Sequence, residues 1–401
     1  MSARLIDDPD VVAAGRSLRT GMPGDVDDAV SRAAWSLLAE PGDGVAGALI
    51  REMGAIDALR VALADDAPWT SGGLTEPTEH TARARRALVE GRARWRPRAS
   101  PKALGDALRN AGHVGARLVV PGDPEWPCAV DDLGEHAPPA LWVRGDTGLL
   151  NTGPRVSIVG ARASTAYGEL VASDIAGDLA VSGTTIVSGG AYGIDGAAHR
   201  AALGVDGATV ALLAGGVDRA YPAGHHQLLT KIAERGAVVS EVPCGAAPTK
   251  WRFLARNRLI AALGQATVVV EAGWRSGSLN TAGHAASLGR PLGAVPGPVT
   301  SAASAGCHRL LREYDARCVT TAEEVRELWG GSEAATAAPT PPDPDRVRLL
   351  DALSARTPLG PEELARRSGL SPGRVRSLLG LLELEGEART APDGFVRKRR
   401  G

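Results

Sequence analysis

One pattern recurs between Arg155 and Val319 and constrains the fold more than any other feature: a short β-branched run, a glycine-rich loop and an apolar-periodic helix. Its apolar runs are VSIVG, TTIVS, TVALLAG, AVVSEV, ATVVVEA and PLGAVPG, which begin at residues 156, 184, 209, 237, 266 and 291. Continuous apolar strands that alternate with helices are typical of a parallel sheet covered by helices on both faces. The pattern therefore predicts an α/β core with a Rossmann-like, doubly wound parallel sheet.

Four glycine-rich loops follow these runs, and in such a sheet they meet at the carboxyl ends of the strands, where ligands bind. Glycines let the backbone approach a ligand closely, and helix N-termini present amides to phosphate oxygens. The first loop, GARASTAYG, lacks the GxGxxG spacing of a dinucleotide site, which disfavours a nicotinamide or flavin cofactor. The loops predict a phosphate-bearing ligand. The candidate contacts in them are Ser164, Ser188, Gly189, Gly190, Tyr192, Ser276, Gly277 and Ser278.

The segment KWRFLARNRLI, residues 250–260, places basic side chains around two aromatic ones. Arginine and lysine neutralise phosphates, and an exposed phenylalanine ring offers a face on which an unpaired base can stack. The asparagine adds a group that hydrogen-bonds to a base edge or a sugar. The segment favours single-stranded nucleic acid as the ligand, and a solvated basic helix face is the alternative. The candidate contacts are Lys250, Phe253, Arg256, Asn257 and Arg258.

Residues 1–100 are predicted to form a helical N-terminal region. Residues 27–65 have helical periodicity, interrupted at 41–44 by the sequence PGDG. Two helices around such a loop resemble a SAM-like or helix-hairpin-helix element, whose loop amides can meet a phosphate. An αα-hairpin that only packs against its neighbours is an at least equal alternative. The basic stretch that ends near residue 100 is an accessory contact at most, or a solvated linker helix.

The charge of the chain is balanced, with 45 Lys and Arg residues, 46 Asp and Glu residues and a formal net charge of -1. Affinity for nucleic acid must then come from local clusters of basic side chains. The four cysteines lie far apart without a CxxC pair, which argues against a zinc knuckle, a thioredoxin-like motif or a disulfide scaffold. We expect a cytoplasmic protein, because the sequence has neither a signal-peptide pattern nor an apolar run of membrane-spanning length.

A core domain over residues 101–329 is predicted to end at a Pro/Ala-rich linker over 330–345. Residues 346–401 then form a separate domain with twelve basic and seven acidic residues. Three predicted helices followed by a short hairpin indicate a winged-helix domain.

The third helix of this domain is predicted to begin after the N-cap Ser371. Its apolar face is formed by Val375, Leu378, Leu379 and Leu382. Arg374 and Arg376 lie off that face and are candidate contacts to duplex DNA or phosphate. A protein-interaction module is a nearly equal alternative, because the excess of positive charge is modest.

Several acidic and histidine side chains are arranged as a catalytic or metal site would be. Asp195 and His199 are four residues apart in one predicted helix, and Glu241 and Glu271 lie at strand ends. Such residues more often cap a helix or hold a loop by accepting backbone N–H groups. We therefore expect no catalytic residues, no metal site and no cofactor, and hence a protein that is not an enzyme.

A set of motifs in fixed order resembles the DprA/Smf family of DNA-processing proteins: VSIVGARAST, IVSGGAYGIDGAAHRAAL, GGVDRAYP, FLARNRLIAAL, VVVEAGWRSGSLNTAGHAASLGRPLGAVPG and GCHRLL. The resemblance implies a homodimer that binds and protects single-stranded DNA and loads the RecA recombinase onto it in natural transformation. By motif position, Arg162, Lys250 and Phe253 match family residues that hold the DNA strand. The chain departs from the family pattern at Tyr192, at residues 224–226 and at Leu254.

Two other functions stay open at the level of sequence. One is a nucleotide-binding or nucleotide-processing enzyme, since phosphoribohydrolases of the LOG type share the Rossmann-like design. Those enzymes carry a PGGxGTxxE loop, which this chain does not contain. The other is a transcription regulator whose winged helix reads duplex DNA while the larger domain senses a nucleotide.

Overall fold

The computed structural model describes residues 3–64, 79–330, 343–384 and 386–398. In this part of the chain a nine-stranded sheet forms the centre of the larger of two units, Met1–Gly331 and Ser332–Gly401. The strands of the sheet are β1 Ala116–Val119, β2 Leu141–Gly145, β3 Arg155–Val159, β4 Thr185–Ser188, β5 Thr209–Leu213, β6 Ala237–Ser240, β7 Ala266–Val269, β8 Leu292–Ala294 and β9 Arg317–Cys318.

The sheet is parallel except at one edge. Its spatial order is β1-β2-β6-β5-β4-β3-β7-β8-β9, with β1 antiparallel to β2 and β2 antiparallel to β6. All other neighbours in the sheet are parallel. Each of the six predicted apolar runs forms a strand, so the prediction of a parallel α/β sheet is confirmed. The order reverses at β3, which pairs with β4 on one side and with β7 on the other.

Within the described residues, six α-helices precede the sheet and pack in the same unit. They are α1 Ala3–Ile6, α2 Pro9–Leu18, α3 Val26–Leu38, α4 Gly44–Leu63, α5 Glu79–Trp95 and α6 Pro101–His113. The predicted break at 41–44 separates α3 from α4, and Asp43 caps α4 by accepting from Val45 N and Ala46 N. Trp35 and Trp95 pack edge to face, 5.1 Å between ring centroids, and join α3 to α5.

Seven more helices alternate with the parallel strands. They are α7 Ala166–Val181, α8 Ile194–Gly204, α9 His226–Arg235, α10 Lys250–Leu263, α11 Ser278–Ser287, α12 Ala305–Glu313 and α13 Ala322–Glu327. Val156 and Ile158 of β3 join a buried cluster with α7, α8 and α13. Val159, the next residue of β3, joins a second cluster with α10, α11 and α12. Helices therefore cover both faces of the sheet, as expected for a doubly wound domain.

The smaller unit has winged-helix architecture. Its elements are α14 Pro344–Ala352, α15 Pro361–Ser368, α16 Pro372–Leu384, β10 Ala388–Ala391 and β11 Gly394–Arg397. The two strands pair antiparallel and form the wing. The predicted apolar face of the third helix, now α16, is buried as expected: it consists of Val375, Leu378, Leu379 and Leu382.

The predicted boundary at residue 100 falls inside the larger unit, since the N-terminal helices and the sheet pack as one body. Residues 331–342 of the predicted linker lie outside the described residues. All four cysteines are free thiols. No helix in the described ranges combines the length and the apolar character that crossing a membrane requires.

Candidate nucleic-acid interface

A cleft of about 800 Å³ opens at the carboxyl ends of β3 and β7. These strands flank the point at which the strand order reverses, and ligands of doubly wound sheets bind at such a point. Its walls are the loop after β3, residues 160–163, the loop after β7, residues 273–278, and the first two turns of α10. The cleft therefore lies where the sequence predicts that the glycine-rich loops converge.

Helix α10 presents one face to the cleft. Thr249 caps the helix by accepting a hydrogen bond from Arg252 N at 3.3 Å. Side chains at i, i+3, i+4 and i+7 of a helix share a face. On α10 these positions are occupied by Lys250, Phe253, Leu254 and Asn257, all of which line the cleft.

Three cations line the cleft with neither an ion pair nor a hydrogen bond to any described residue. Arg162, Lys250 and Arg275 form no ion pair with any described residue. The Arg162 guanidinium lies 4.8 Å from the centroid of the Phe253 ring, and Lys250 Nζ lies 5.5 Å from that of Trp251. Aromatic faces hold these two cations, so their N–H groups stay available to an anion.

Aromatic rings accumulate beside these cations. Tyr221 contributes a ring 5.4 Å from that of Phe253, tilted by 51°. Tyr221 is 48% exposed and Trp251 is 72% exposed. Neither side chain is among the contacts predicted from the sequence. The signal for Tyr221 is its place in the GGVDRAYP loop at a strand end, and the signal for Trp251 is its place between two basic residues.

The opposite wall of the cleft is built by the predicted contacts Ser276, Gly277 and Ser278. The two serine hydroxyl oxygens are 2.7 Å apart, and Asn257 Nδ2 donates to Gly277 O at 3.4 Å. Asn257 Nδ2 also lies 3.2 Å from Asn280 Oδ1. The serine hydroxyl groups offer hydrogen bonds to a phosphate or a sugar opposite the cations, whereas Asn257 Nδ2 already has two acceptors.

The structure corrects the sequence prediction for Arg258. The side chain is buried, and its Nη1 and Nη2 donate to both carboxylate oxygens of Glu241 at 2.7 and 2.6 Å. Its Nε donates to His136 O at 2.8 Å. A buried guanidinium with a carboxylate partner cannot meet a strand in the cleft, so we remove Arg258 from the set of contacts.

Arg256 has a structural role as well, although it lies at the base of the cleft. Its guanidinium donates to Gly189 O at 2.6 Å and to Leu212 O. A Cβ at residue 189 would collide with this guanidinium, which explains why Gly189 is a glycine. Burial lowers the pKa of Arg256 to about 10, so the group stays charged at neutral pH.

The remaining predicted contacts in the β4 loop do not line the cleft. Ser188 is buried, and its hydroxyl donates to Ile158 O at 2.6 Å, while Gly189 and Gly190 are also buried. Tyr192 is exposed, and its hydroxyl accepts from Gly224 N at 3.2 Å. Ser164 lies in the first loop and donates to Glu169 at 2.8 Å. These positions shape the loops around the cleft and are not part of its lining.

The two side chains that resemble a catalytic pair have structural partners, Asp195 in the loop after β4 and His199 in β5. Asp195 accepts from Gly189 N at 3.0 Å and from Ala191 N at 3.4 Å, and burial raises its pKa. His199 is fully buried, with Nδ1 2.7 Å from Thr209 Oγ1, and burial lowers its pKa to about 3. The histidine is therefore neutral and does not reach the cleft.

Glu271 also has a structural partner, since its carboxylate accepts from Thr165 N at 2.8 Å and from Thr165 Oγ1 at 2.7 Å. Across the described ranges, no three acidic, histidine or cysteine side chains are grouped so that they could hold a metal ion.

In the turn from the loop between α3 and α4 into α4, two amides that could meet a phosphate already have a partner. Asp43 occupies the amides of Val45 and Ala46 and also accepts from Trp95 Nε1 at 3.0 Å. Gly42 O lies 2.9 Å from His136 Nδ1. The arrangement favours the alternative in which this helix pair packs against its neighbours.

The two arginines predicted to contact DNA from the winged helix are paired. Arg374 contacts Asp343 and lies 3.0 Å from Asp345 through Nε. Arg376 lies 3.0 Å from Glu362. Each phosphate contact from α16 would have to replace one of these ion pairs.

Comparisons with known proteins agree with this architecture. The family model described as DNA recombination-mediator protein A matches residues 117–330, and the model described as DprA winged helix domain matches residues 333–394. The chain is 48% identical over 293 residues to the DNA processing protein DprA of Mycobacterium tuberculosis, covering 68% of this chain and 75% of that protein. It is 39% identical over 275 residues to the protein Smf of Escherichia coli, covering 66% of this chain and 72% of that protein.

Among solved structures, the X-ray structure of DprA from Streptococcus pneumoniae superposes with a TM-score of 0.57 at 28% sequence identity. The match covers 74% of this chain and 95% of that chain.

Proposed function

Because the chain belongs to the DprA/Smf family of DNA-processing proteins, we propose that its cleft binds single-stranded DNA with little dependence on sequence. The observation that carries the proposal is the set of three unpaired cations, Arg162, Lys250 and Arg275, around the half-buried ring of Phe253. Cations along a groove neutralise phosphates, and an aromatic ring accepts any base on its face.

The form of the cleft favours a single strand over a duplex. Phe253 and Tyr221 lie at a concave site of about 800 Å³, and a base reaches such rings only after it has left a base stack. A duplex offers phosphates to the cations but no free base to the rings. We therefore expect the rings to supply the preference for single strands and the cations to supply the salt dependence.

The role that follows from family membership is to bind rather than to catalyse. We propose that the protein protects incoming single-stranded DNA in the cytoplasm and loads the RecA recombinase onto it, acting as a homodimer. The structural assignments of Asp195, His199 and Glu271 support a binding protein, because Asp195 and Glu271 accept hydrogen bonds from loop residues and His199 contacts Thr209 of β5. The segment after Val295 is the candidate for the dimer contact.

Fluorescence anisotropy tests the DNA-binding proposal. Labelled oligo-dT, a duplex of equal length and free nucleotides are titrated with the full chain at several salt concentrations. We expect oligo-dT to bind more tightly than the duplex and the logarithm of its affinity to fall linearly with the logarithm of salt. Equal affinity for duplex and single strand would contradict the proposal.

Light scattering and a RecA assay test the proposed assembly separately. We expect the full chain to dimerise at concentrations of tens of micromolar or below, roughly the limit of a useful interface. We also expect it to accelerate the formation of RecA filaments on single-stranded DNA. A strict monomer would refute the dimer, and filament growth that is independent of the protein would refute the loading role.

A further inference from the structure

Two arginines from distant parts of the chain meet one carboxylate beside the cleft. Arg252, in the first turn of α10, donates from Nε and Nη2 to the two oxygens of Glu40 at 2.9 and 3.1 Å. Arg98, in the 3₁₀ helix Arg96–Arg98 that follows α5, lies 2.8 Å from the same carboxylate. Glu40 belongs to the loop between α3 and α4. Two guanidinium groups on one anion leave a local excess of one positive charge.

Both guanidinium groups are oriented by contacts that do not involve Glu40. Arg252 Nη1 donates to Ala247 O at 2.9 Å, and Arg98 Nη1 donates to Leu38 O at 3.3 Å. Each arginine would therefore stay close to its present position if the carboxylate left. Planar guanidinium groups recognise phosphate and carboxylate oxygens with the same geometry, so the two arginines form a preformed anion site.

Solvent reaches this site, because the side chains of Arg98 and Glu40 are 40% and 46% exposed. Partial burial alone would raise the pKa of Glu40, but Arg252 and Arg98 outweigh that effect and lower it. The site thus contains an ionised carboxylate at neutral pH. Arg252 belongs to the same first turn of α10 as Lys250, which lines the cleft, but lies on a different side of the helix. A strand that leaves the cleft past Lys250 reaches Arg252 by bending around the N-terminal turn of α10.

We propose that Arg98 and Arg252 form a second phosphate site for single-stranded DNA, and that Glu40 occupies this site until a backbone phosphate of the strand replaces it. The proposal rests on the proposed binding of single-stranded DNA in the cleft. Glu40 acts as a built-in competitor, so the free protein shows a weaker affinity and a shallower salt dependence than its arginines would give alone.

The test removes the competitor without adding a cation. Glu40→Gln is expected to strengthen binding of a 20-nucleotide oligo-dT by about 1.4- to fivefold, because the ion pair that the phosphate must replace is worth about 0.2–1 kcal/mol. The slope of log affinity against log salt is expected to steepen by about 0.7 for each additional phosphate contact. A six-nucleotide oligo-dT that fills only the cleft is expected to bind both proteins equally.

A matched control separates this effect from a change of net charge. Glu323→Gln removes the same charge from an ion pair in which Arg326 lies 2.6 Å away. Arg326 also donates to Ser182, which follows α7 at the end of the sheet opposite the cleft. Glu323→Gln is expected to leave the affinity unchanged. A gain equal to that of Glu40→Gln would overturn the proposal.

A double variant tests whether Arg252 causes the gain in affinity. Arg252→Gln combined with Glu40→Gln is expected to abolish both the gain in affinity and the added slope. Persistence of the gain would overturn the proposal. Weaker binding of oligo-dT by Glu40→Gln at an unchanged unfolding temperature would also overturn the proposal, because the role of Glu40 would then be only to position α10.

Pyrophosphate probes the site without DNA, which separates this inference from the proposed function. An anion that binds only the folded protein raises the unfolding temperature. Pyrophosphate is expected to stabilise Glu40→Gln more than the wild type and to lose that difference in the double variant. If pyrophosphate stabilises Glu40→Gln and the wild type equally, the second site is refuted even where oligo-dT binds. If it stabilises Glu40→Gln more, the second site is supported even where oligo-dT does not bind.

Discussion

The cleft and the third helix of the winged-helix unit both carry basic side chains, but the pairing of those side chains differs. Arg162, Lys250 and Arg275 line the cleft without a carboxylate partner among the described residues. Arg374 and Arg376 of α16 each contact an acidic side chain. A count of basic residues therefore does not distinguish a phosphate site from a solvated helix face, whereas the pairing of each cation does.

The physical reason is that a paired cation has already exchanged its water for an anion. An exposed ion pair contributes about 0.2–1 kcal/mol, and a phosphate that replaces the carboxylate must first disrupt it. An unpaired cation on an aromatic face has no such competitor. We therefore expect the side chains of the cleft to provide the affinity of this protein for DNA.

The largest effect is expected on stability, from Arg258→Ala. Removing one partner of a buried ion pair leaves the charge of Glu241 uncompensated and costs about 3–5 kcal/mol. Urea unfolding measures this loss. Arg51→Ala is the matched control, because Arg51 forms an exposed pair with Glu135 at 2.8 Å and its loss is expected to cost at most about 1 kcal/mol. A stable Arg258→Ala protein with a shallower salt slope for oligo-dT would show that Arg258 contacts phosphate.

The next effect is expected on DNA affinity, from Arg162→Ala combined with Lys250→Ala. If each side chain makes one net contact of about 0.5–1.5 kcal/mol, the double variant loses about 1–3 kcal/mol of binding free energy. Its salt slope falls by about 1.4, that is about 0.7 for each phosphate on a single strand. Anisotropy titrations of oligo-dT between low and physiological salt measure both quantities.

The control for that variant removes two cations elsewhere. Lys102→Ala combined with Arg109→Ala removes the exposed partners of Asp106 on α6. This protein is expected to retain the affinity and slope of the wild type. Equal losses in the two double variants would mean that binding follows the net charge of the surface and not the cleft.

A smaller effect on affinity is expected from Phe253→Ala. A ring beneath a base contributes roughly 1–3 kcal/mol, and the lower end applies because the Arg162 guanidinium already covers part of this ring at 4.8 Å. The ring is uncharged, so the salt slope should not change. The melting temperature should fall less than it would for a core phenylalanine, because the side chain is only half-buried. Leu254→Ala, at the next position of the cleft wall, is the control for lost volume.

The stacking interpretation has two clear ways to fail. A collapse of the melting temperature in Phe253→Ala would assign the ring to the core. Unchanged affinity in a stable protein would leave the strand held by phosphate contacts alone. Tyr221→Ala extends the comparison, since the two rings lie 5.4 Å apart and would act on neighbouring bases.

Most of the sheet was predictable because its strands are buried on both faces. The strand Ala266–Val269 is buried at every position, and its only polar side chain is that of Thr267, a pattern that few other structures require. The antiparallel edge was less accessible, because β1 and β2 precede the repeating pattern of strand, loop and helix and the identity of a neighbour in a sheet depends on tertiary packing. The position of the cleft follows from the order of the strands in the sheet. The alternating pattern predicts a doubly wound parallel sheet but not the place of each strand in it.

The site was predictable in its location and less so in its members. Lys250, Phe253 and Asn257 line the same cleft as Arg162 and Ser276, and their contact with DNA stays a prediction. The burial of arginines on α10 was not predictable, because basic residues occur on all sides of this helix and periodicity does not show which side meets the core. Burial of a cation depends on a partner from a distant segment, as Glu241 is for Arg258.

The smallest effect is expected from Arg374→Ala combined with Arg376→Ala in the winged helix. Both side chains are paired, so their removal should change the affinity for oligo-dT and for duplex by less than about twofold. Arg366→Ala with Arg367→Ala, which removes the two partners of Glu363 on α15, is the control. If ion pairs are what prevent α16 from binding DNA, then Asp343→Asn with Asp345→Asn should free Arg374. This variant should have a salt-dependent affinity for duplex DNA that the wild type lacks. A tenfold loss of DNA affinity in Arg374→Ala with Arg376→Ala would show that α16 binds DNA by giving up its ion pairs. The cleft and α16 would then differ in the nucleic acid that each binds and not in whether their cations are paired.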